Sequence, residues 1–569
     1  MTTKKIRDFS LLKDEQLPIP QNKLHGGAHF AGLYAGEHVS ATEFVIGATF
    51  VALGATTKDI LYGLLIGNIL AILSWTLLTA PIAVQTRLSL YTYLGKIAGK
   101  SMTTIYNWAN ALIFIVISAA MITVSALAVR HLFNIPVQME WYSTNIYFWL
   151  IVIIVGAVVV LVAMYGFSSI ASFSSICAPW LFTLFMAGAF VILPVICLHV
   201  LGTTEIHSWN DFLNIGDTSI WKGVTETGKK GISLTGIIFY AWAANSITHF
   251  GLIDMAILRY AKKAYYGLYT GFGMLFGHYL AWIAAGIMGA GAAILMKTTI
   301  SFIDPGEVAY YALGASGFII IIIAGWTTAN ANLYRATLAT QAIFHNHSRK
   351  KVSIIVGIIT VIIACFPGVY KQILPLLAYA GLLVVPVGGI VAAEHFLFPK
   401  IGLTRYWAKY KELIVNKPAI ITWAAALVFG FGLNAFGVPV YYLFIPAWVF
   451  SIISYTTLAY FAGAKDDYTK EVKEEKQTQK DIKIYHREKA KTEKVQYKDT
   501  SIFSKILRTL SVMCLVLIIA LSVNALAFSP DADTYQINKL LFNKGTLILT
   551  IGYFVLSWWN LRRKKAYIH

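Results

Sequence analysis

The chain has 569 residues, of which 57% are hydrophobic and 13% charged, about half the charged share of a soluble domain. The net charge of +19 does not point to nucleic acid, because the basic residues sit in short loops and at the C-terminus rather than on one face. Long apolar runs close to the ~20 residues that cross a bilayer recur along the chain, continuous rather than alternating, which argues for helices and against a β-barrel.

In chain order, residues 1–27 carry Lys4, Lys5, Arg7, Lys13 and Lys23 and are expected to form a cytoplasmic tail. No signal peptide precedes the first apolar run, so that run should direct its own insertion. Fourteen spans follow, near 28–54, 60–84, 104–128, 146–165, 173–200, 231–257, 265–296, 315–343, 352–369, 373–397, 418–437, 440–462, 503–528 and 540–560. With this count every basic cluster falls on one side, the positive-inside pattern, with both termini cytoplasmic in an inner or plasma membrane. The four cysteines, Cys177, Cys197, Cys365 and Cys514, lie in apolar segments without metal-ligand spacing and read as small buried hydrophobes. Asp304-Pro305-Gly306 marks a linker that could form a short capping helix, and Asp254, Glu394 and His395 read as charges near span ends. Residues 465–500 hold eleven Lys or Arg and nine Asp or Glu, a mixture expected of an exposed helix or disordered linker serving as a solvated spacer.

Two stretches are wrong for ordinary membrane helices. The first span opens with Gly32-Leu33-Tyr34-Ala35-Gly36-Glu37-His38-Val39-Ser40-Ala41-Thr42-Glu43, and the sixth contains Ala243-Ala244-Asn245-Ser246-Ile247-Thr248-His249-Phe250-Gly251. Ionisable groups at that depth must face protein, water or a bound ion. Two interrupted helices in matching positions of two halves point to a transporter's central site. Ile66-Gly67-Asn68 and Phe276-Gly277-His278 occupy matching places in spans two and seven, as an inverted repeat of five spans would have them. In span eight, Thr327, Thr328, Asn330 and Asn332 could line a path or coordinate a hard cation, which prefers oxygen ligands. They could equally serve to bind helices together.

Trp326-Thr327-Thr328-Ala329-Asn330-Ala331-Asn332-Leu333-Tyr334, Lys58-Asp59-Ile60 through Leu64-Leu65-Ile66-Gly67-Asn68, Val385-Pro386-Val387-Gly388-Gly389-Ile390 and Tyr165-Gly166-Phe167-Ser168-Ser169 together resemble the nucleobase–cation symporter-1 family of cytosine permeases and hydantoin transporters, over about residues 28–460. The resemblance implies a five-plus-five inverted-repeat core, like that of the sodium-coupled amino-acid transporters, over 28–397, with spans eleven and twelve within 398–462; the charged linker at 463–502 and the two extra spans in 503–569 lie outside it, and the whole chain reads as an all-α polytopic membrane protein. The resemblance also implies a sodium site made by the main-chain carbonyls of Glu37, Ser40 and Ala324 with the hydroxyls of Thr327 and Thr328. A flat heterocycle would be held by Thr42, Glu43, Phe114, Trp242, Asn245, Ser246, His249, Asn330 and Asn332. Phe114 enters because Ile115 stands where the family carries a tryptophan. The acidic first span, with Glu37, His38 and Glu43, leaves open proton coupling or a cationic, thiamine-like or amino-bearing heterocycle.

The function these readings imply is a cation-coupled symporter, not an enzyme, with sodium or a proton as coupling ion, no other cofactor, a small heterocyclic substrate such as cytosine, and no nucleic-acid partner. Same-fold carriage of thiamine-related pyrimidines, amino acids or osmolytes is the alternative. A membrane ligand sensor using the last two spans is a second, and the residues name no protein partner.

Overall fold

The computed structural model describes residues 9, 16–136, 138, 140–165, 167–490, 499 and 501–566. Lys4, Lys5, Arg7 and Lys13 of the tail, Gly166 of the turn before span 5, and linker residues 491–498 and 500 lie outside the described residues.

The protein is an all-α, multi-pass membrane protein with a five-plus-five inverted-repeat core. Among the described residues, eleven helices are long and apolar enough to cross a membrane. They are spans 2 (Thr57–Thr86), 3 (Gly99–Leu132), 4 (Ile146–Met164), 5 (Ser172–Leu201), 7 (Ala264–Met296), 8 (Ser316–Ile343), 10 (Pro375–Lys400), 11 (Lys417–Ala435), 12 (Phe444–Ala464), 13 (Ile502–Ala527) and 14 (Ala532–Arg563). Three more complete the fourteen. Span 9 is the shorter helix Arg349–Ala364, span 1 is split into Gly27–His38 and Thr42–Ala52, and span 6 into Leu234–Ala243, Ser246–His249 and Met255–Leu258.

Polar caps set several helix starts. The Asn145 side chain accepts from the amides of Tyr147 and Phe148 to begin span 4, and Asn416 accepts from Ala419 to begin span 11. Asp304 caps Pro305–Leu313 in a capping box with Glu307, and its carboxylate pairs with buried Arg130 of span 3, so the expected capping helix is tied into the bundle by an ion pair.

The two halves run in opposite senses. His25, before span 1, bonds to Tyr260 after span 6, whereas Leu53, at the far end of span 1, accepts from Ile232 ahead of span 6. The glycines noted in spans 2 and 7 mark the same relation. A Cβ on Gly67 would stand 2.5 Å from the Ile238 carbonyl oxygen of span 6, and one on Gly277 would run into the His38 carbonyl oxygen of span 1. Each glycine therefore lets an intact helix approach the broken helix of the other half.

Spans 13 and 14 form a hairpin laid against span 5. Trp180 donates to Thr550 (3.0 Å), Tyr535 to the Val191 carbonyl (2.8 Å) and Tyr553 to the Ile176 carbonyl (2.6 Å).

The charged linker is a largely exposed helix, tied down at one residue. Thr469–Ala490 is a helix, and Glu475 is buried between Lys96 (2.8 Å), which follows span 2, and Lys409 (2.5 Å), which follows span 10. Burial alone would raise its carboxyl, but attraction to Lys96 and hydrogen bonds from both lysines hold it down, to about 2. The carboxyl's ordinary value is 4.5, so the clip is complete above that pH and is lost only as the pH falls towards about 2. Glu475→Gln should therefore speed amide hydrogen exchange across 469–490 at neutral pH. High salt should do the same, since both lysines are partly exposed, whereas changing pH between 5 and 8 should leave the protection of those amides unchanged once intrinsic exchange rates are corrected for.

Candidate functional site

The break in span 1 is built by its own polar side chains. The helix stops at His38, leaves Val39, Ser40 and Ala41 outside regular structure, and restarts at Thr42. Ser40 Oγ lies 2.5 Å from Thr42 Oγ1 and donates to Glu43 Oε1 at 2.8 Å. Such local bonding competes with the helical ladder, which favours a restart over a continuous helix. Glu43 sits in the first turn of the new helix, where the dipole favours a negative charge. In span 6 the chain leaves the helix at Asn245, whose carbonyl accepts from Thr248 Oγ1 at 2.6 Å.

The two breaks open onto a cavity of about 130 Å³, roughly ten times what one water needs. Of the residues expected to act, Glu37, Ser40, Thr42, Glu43, Phe114, Asn245, Thr328 and Asn332 line it. Span 8 meets the break directly: Thr328 Oγ1 donates to the Glu37 carbonyl at 2.8 Å, while Thr327 Oγ1 turns back to the Ala324 carbonyl at 2.9 Å. The Glu37 carbonyl and the Thr328 hydroxyl thus meet across the span 1–span 8 contact, whereas Ala324 and Thr327 bond within span 8 and are not among the residues lining the cavity.

Trp242, Ser246, His249 and Asn330 stand elsewhere. Trp242 donates to Ser74 of span 2 at 2.9 Å and packs its ring against Phe250 and Phe444, on the side away from the cavity. His249 lies behind it, with Nε2 3.1 Å from the Trp242 carbonyl. Ser246 is buried where span 6 meets Gly381 of span 10. Asn330 is buried, and neither amide atom finds a hydrogen-bond partner.

Three groups at the site were not assigned to it from the sequence. Arg335, two turns beyond Thr328, is 1% exposed, lines the cavity, and pairs with Glu37 and with Asp254 Oδ1 (2.6 Å). Asp254 is thus no span-end charge: it is fully buried, and its Oδ2 accepts from Tyr34 at 3.0 Å and Trp75 at 2.7 Å. One guanidinium joins the first half of span 1, span 8 and span 6. His278, which sequence showed only as the neighbour of Gly277, lines the cavity beside Glu43. Its Nε2 stands 3.9 Å from Glu43 Oε1, its Nδ1 3.1 Å from Asn245 Nδ2, and its ring stacks on Trp282. The Trp282 indole also donates to Glu43 Oε2. Glu394 is likewise buried, accepting from Tyr455 (2.7 Å) and from the Tyr406 amide (2.5 Å), away from the cavity.

No protein-family model and no curated protein matches the chain. Solved structures do. Mhp1, a nucleobase–cation-symport-1 family transporter in a closed conformation with bromovinylhydantoin bound, is similar at TM-score 0.63 and 16% identity, covering 84% of this chain and all of that one. Its inward-facing conformation is similar at TM-score 0.58 and 15% identity, with 80% and 96% covered. A substrate-bound, outward-open Na+-coupled sialic acid symporter is similar at TM-score 0.53 and 15% identity, with 78% and 90% covered. At these identities the likeness shows the fold.

Removing Arg335 would strand two buried carboxylates, and breaking a buried pair from one side costs about 3–5 kcal/mol. Arg335→Ala should accordingly lower the thermal unfolding midpoint of the detergent-purified protein by many degrees. Restoring part of the loss with Arg335→Ala/Asp254→Asn would show that the unpaired charge, rather than lost packing, is the cause.

Proposed function

We propose that the chain is a secondary active transporter, a symporter that couples downhill cation entry to uptake of a small nitrogen heterocycle such as cytosine by alternating access. The observation that carries this reading is the Thr328–Glu37 bond at the break of span 1. That hydroxyl and that freed carbonyl are oxygen ligands of the kind a sodium ion takes, and the Ser40 and Ala324 carbonyls with the Thr327 hydroxyl would supply the rest. Sodium bound there would replace the Thr328–Glu37 bond with coordination from both helices, and so favour the state in which spans 1 and 8 are joined. Its differential affinity for that state over the others sets how far it shifts the balance. The cavity beside it, walled by apolar and aromatic side chains with a few polar groups, suits a small flat ligand. The fold shared with cation-coupled symporters supports the same reading. The basic loops favour an inner or plasma membrane with both termini cytoplasmic.

The nearness of His278 to Glu43, 3.9 Å apart, favours a second reading of the coupling ion, a proton taken up between them. Thermal unfolding in sodium against potassium at constant ionic strength separates the two. The sodium reading expects a stabilisation that rises with sodium as mass action requires and disappears in Thr328→Ala. An equal midpoint in both salts would overturn sodium coupling and leave the proton.

A further inference from the structure

The cavity is unbalanced in charge. Glu37 and Glu43 line it and Asp254 stands just behind, while Arg335, the only Lys or Arg among the lining residues, is already divided between Glu37 and Asp254. A single coupling cation beside Glu37 would still leave one carboxylate over, and that carboxylate is Glu43. It is 2% exposed, and its two hydrogen bonds come from neutral donors, Ser40 and Trp282. Neutral donors hold an anion in place without cancelling its charge. The nearest basic group, His278 Nε2, lies at 3.9 Å, beyond hydrogen-bond distance. With the Asn245 amide donating to Nδ1, a neutral His278 carries its proton on Nε2, turned towards Glu43. A second observation points the same way: Glu37 Oε2 is buried, has no hydrogen-bond partner, and belongs to a residue lining the same cavity. Burying a carboxylate without a counter-charge is costly, so Glu43 is relieved either by a proton or by an occupant that brings a positive charge.

Resting on the transporter reading, we propose that the carried heterocycle is cationic. Its protonated or quaternary nitrogen pairs with the Glu43 carboxylate, and its flat body lies against Tyr240 and Tyr441, whose rings stand 5.6 Å apart on the cavity wall. Aromatic faces attract such a cation as well as its apolar body. An uncharged nucleobase would fill the space without supplying that charge.

The test uses the full-length protein in liposomes with an inward sodium and proton gradient. The probes are matched pairs: an aminomethylpyrimidine against its hydroxymethyl counterpart, and an N-methylpyridinium against the uncharged methylbenzene. Native protein should accumulate the charged member of each pair at least tenfold over the uncharged one. Glu43→Gln should lose most of that preference while Glu43→Asp retains part of it, with unchanged thermal unfolding showing that both variants fold. Preference for the uncharged members, or charged-member uptake that survives Glu43→Gln in a folded protein, would overturn the inference. Uptake of neither would overturn it too. The sodium-dependent stabilisation described above needs no organic ligand, so it judges the sodium site of the transporter reading separately from the charge of the substrate.

Discussion

A guanidinium buried in the middle of a helical bundle must be shared, because no single helix can neutralise it and satisfy its donors alone. Arg335 meets this constraint by reaching two carboxylates on two different helices, Glu37 on span 1 and Asp254 on span 6. Those are the two interrupted helices. Tyr34 and Trp75 complete the arrangement by donating to the far oxygen of Asp254, which draws span 2 into the same set. The position of the first half of span 1 relative to span 8 is therefore decided by charge at one end of the contact and by the Thr328–Glu37 bond at the other. Both act on the same residue, Glu37, once through its side chain and once through its main chain. An ion that takes over the carbonyl also loads the residue that the arginine holds.

The inverted repeat does related work with packing alone. Gly67 brings span 2 against span 6, and Gly277 brings span 7 against span 1. Each broken helix leans on an intact helix of the opposite half. A break gives up backbone hydrogen bonds inside an apolar medium, where they are hard to replace, and it survives where neighbouring protein supplies the missing partners. At span 1 the Thr328 hydroxyl takes up the Glu37 carbonyl; at span 6 the Thr248 hydroxyl takes up the Asn245 carbonyl.

Much of this was legible in the chain, for a definite reason. Glu37, Ser40, Thr42, Glu43, Asn245, Thr328 and Asn332 are polar where hydrocarbon would otherwise surround them, and that violation is visible without a structure. The span count follows from apolar length, and the sense of the halves from five spans each. What was not legible depended on direction rather than depth. Trp242 sits mid-span, yet at a broken helix the usual periodicity no longer says which way a side chain points, and it faces Ser74. Asp254 lies five residues before Arg259, which reads as a helix end; the chain folds back inside the bundle there instead. Arg335 carried a usable signal, a charge on the same helical face as Thr328 two turns on, but a cation near the end of a long span looks like an ordinary boundary residue. Glu475 was lost among many like it, since composition cannot show which one of a row of surface charges meets two lysines.

The hairpin of spans 13 and 14 has a consequence for span 5. That helix packs on one side against the first half of span 1, where Ser174 and Ser175 meet Gly36 and Gly32, and on another against the hairpin. Its most apolar stretch is 72% buried in protein, whereas those of the hairpin helices are 28% and 22% buried. The hairpin thus stands between span 5 and the acyl chains along that flank. The wall of the first broken helix is insulated there from the thickness and fluidity of the surrounding lipid, and the two outermost helices absorb the mismatch in its place.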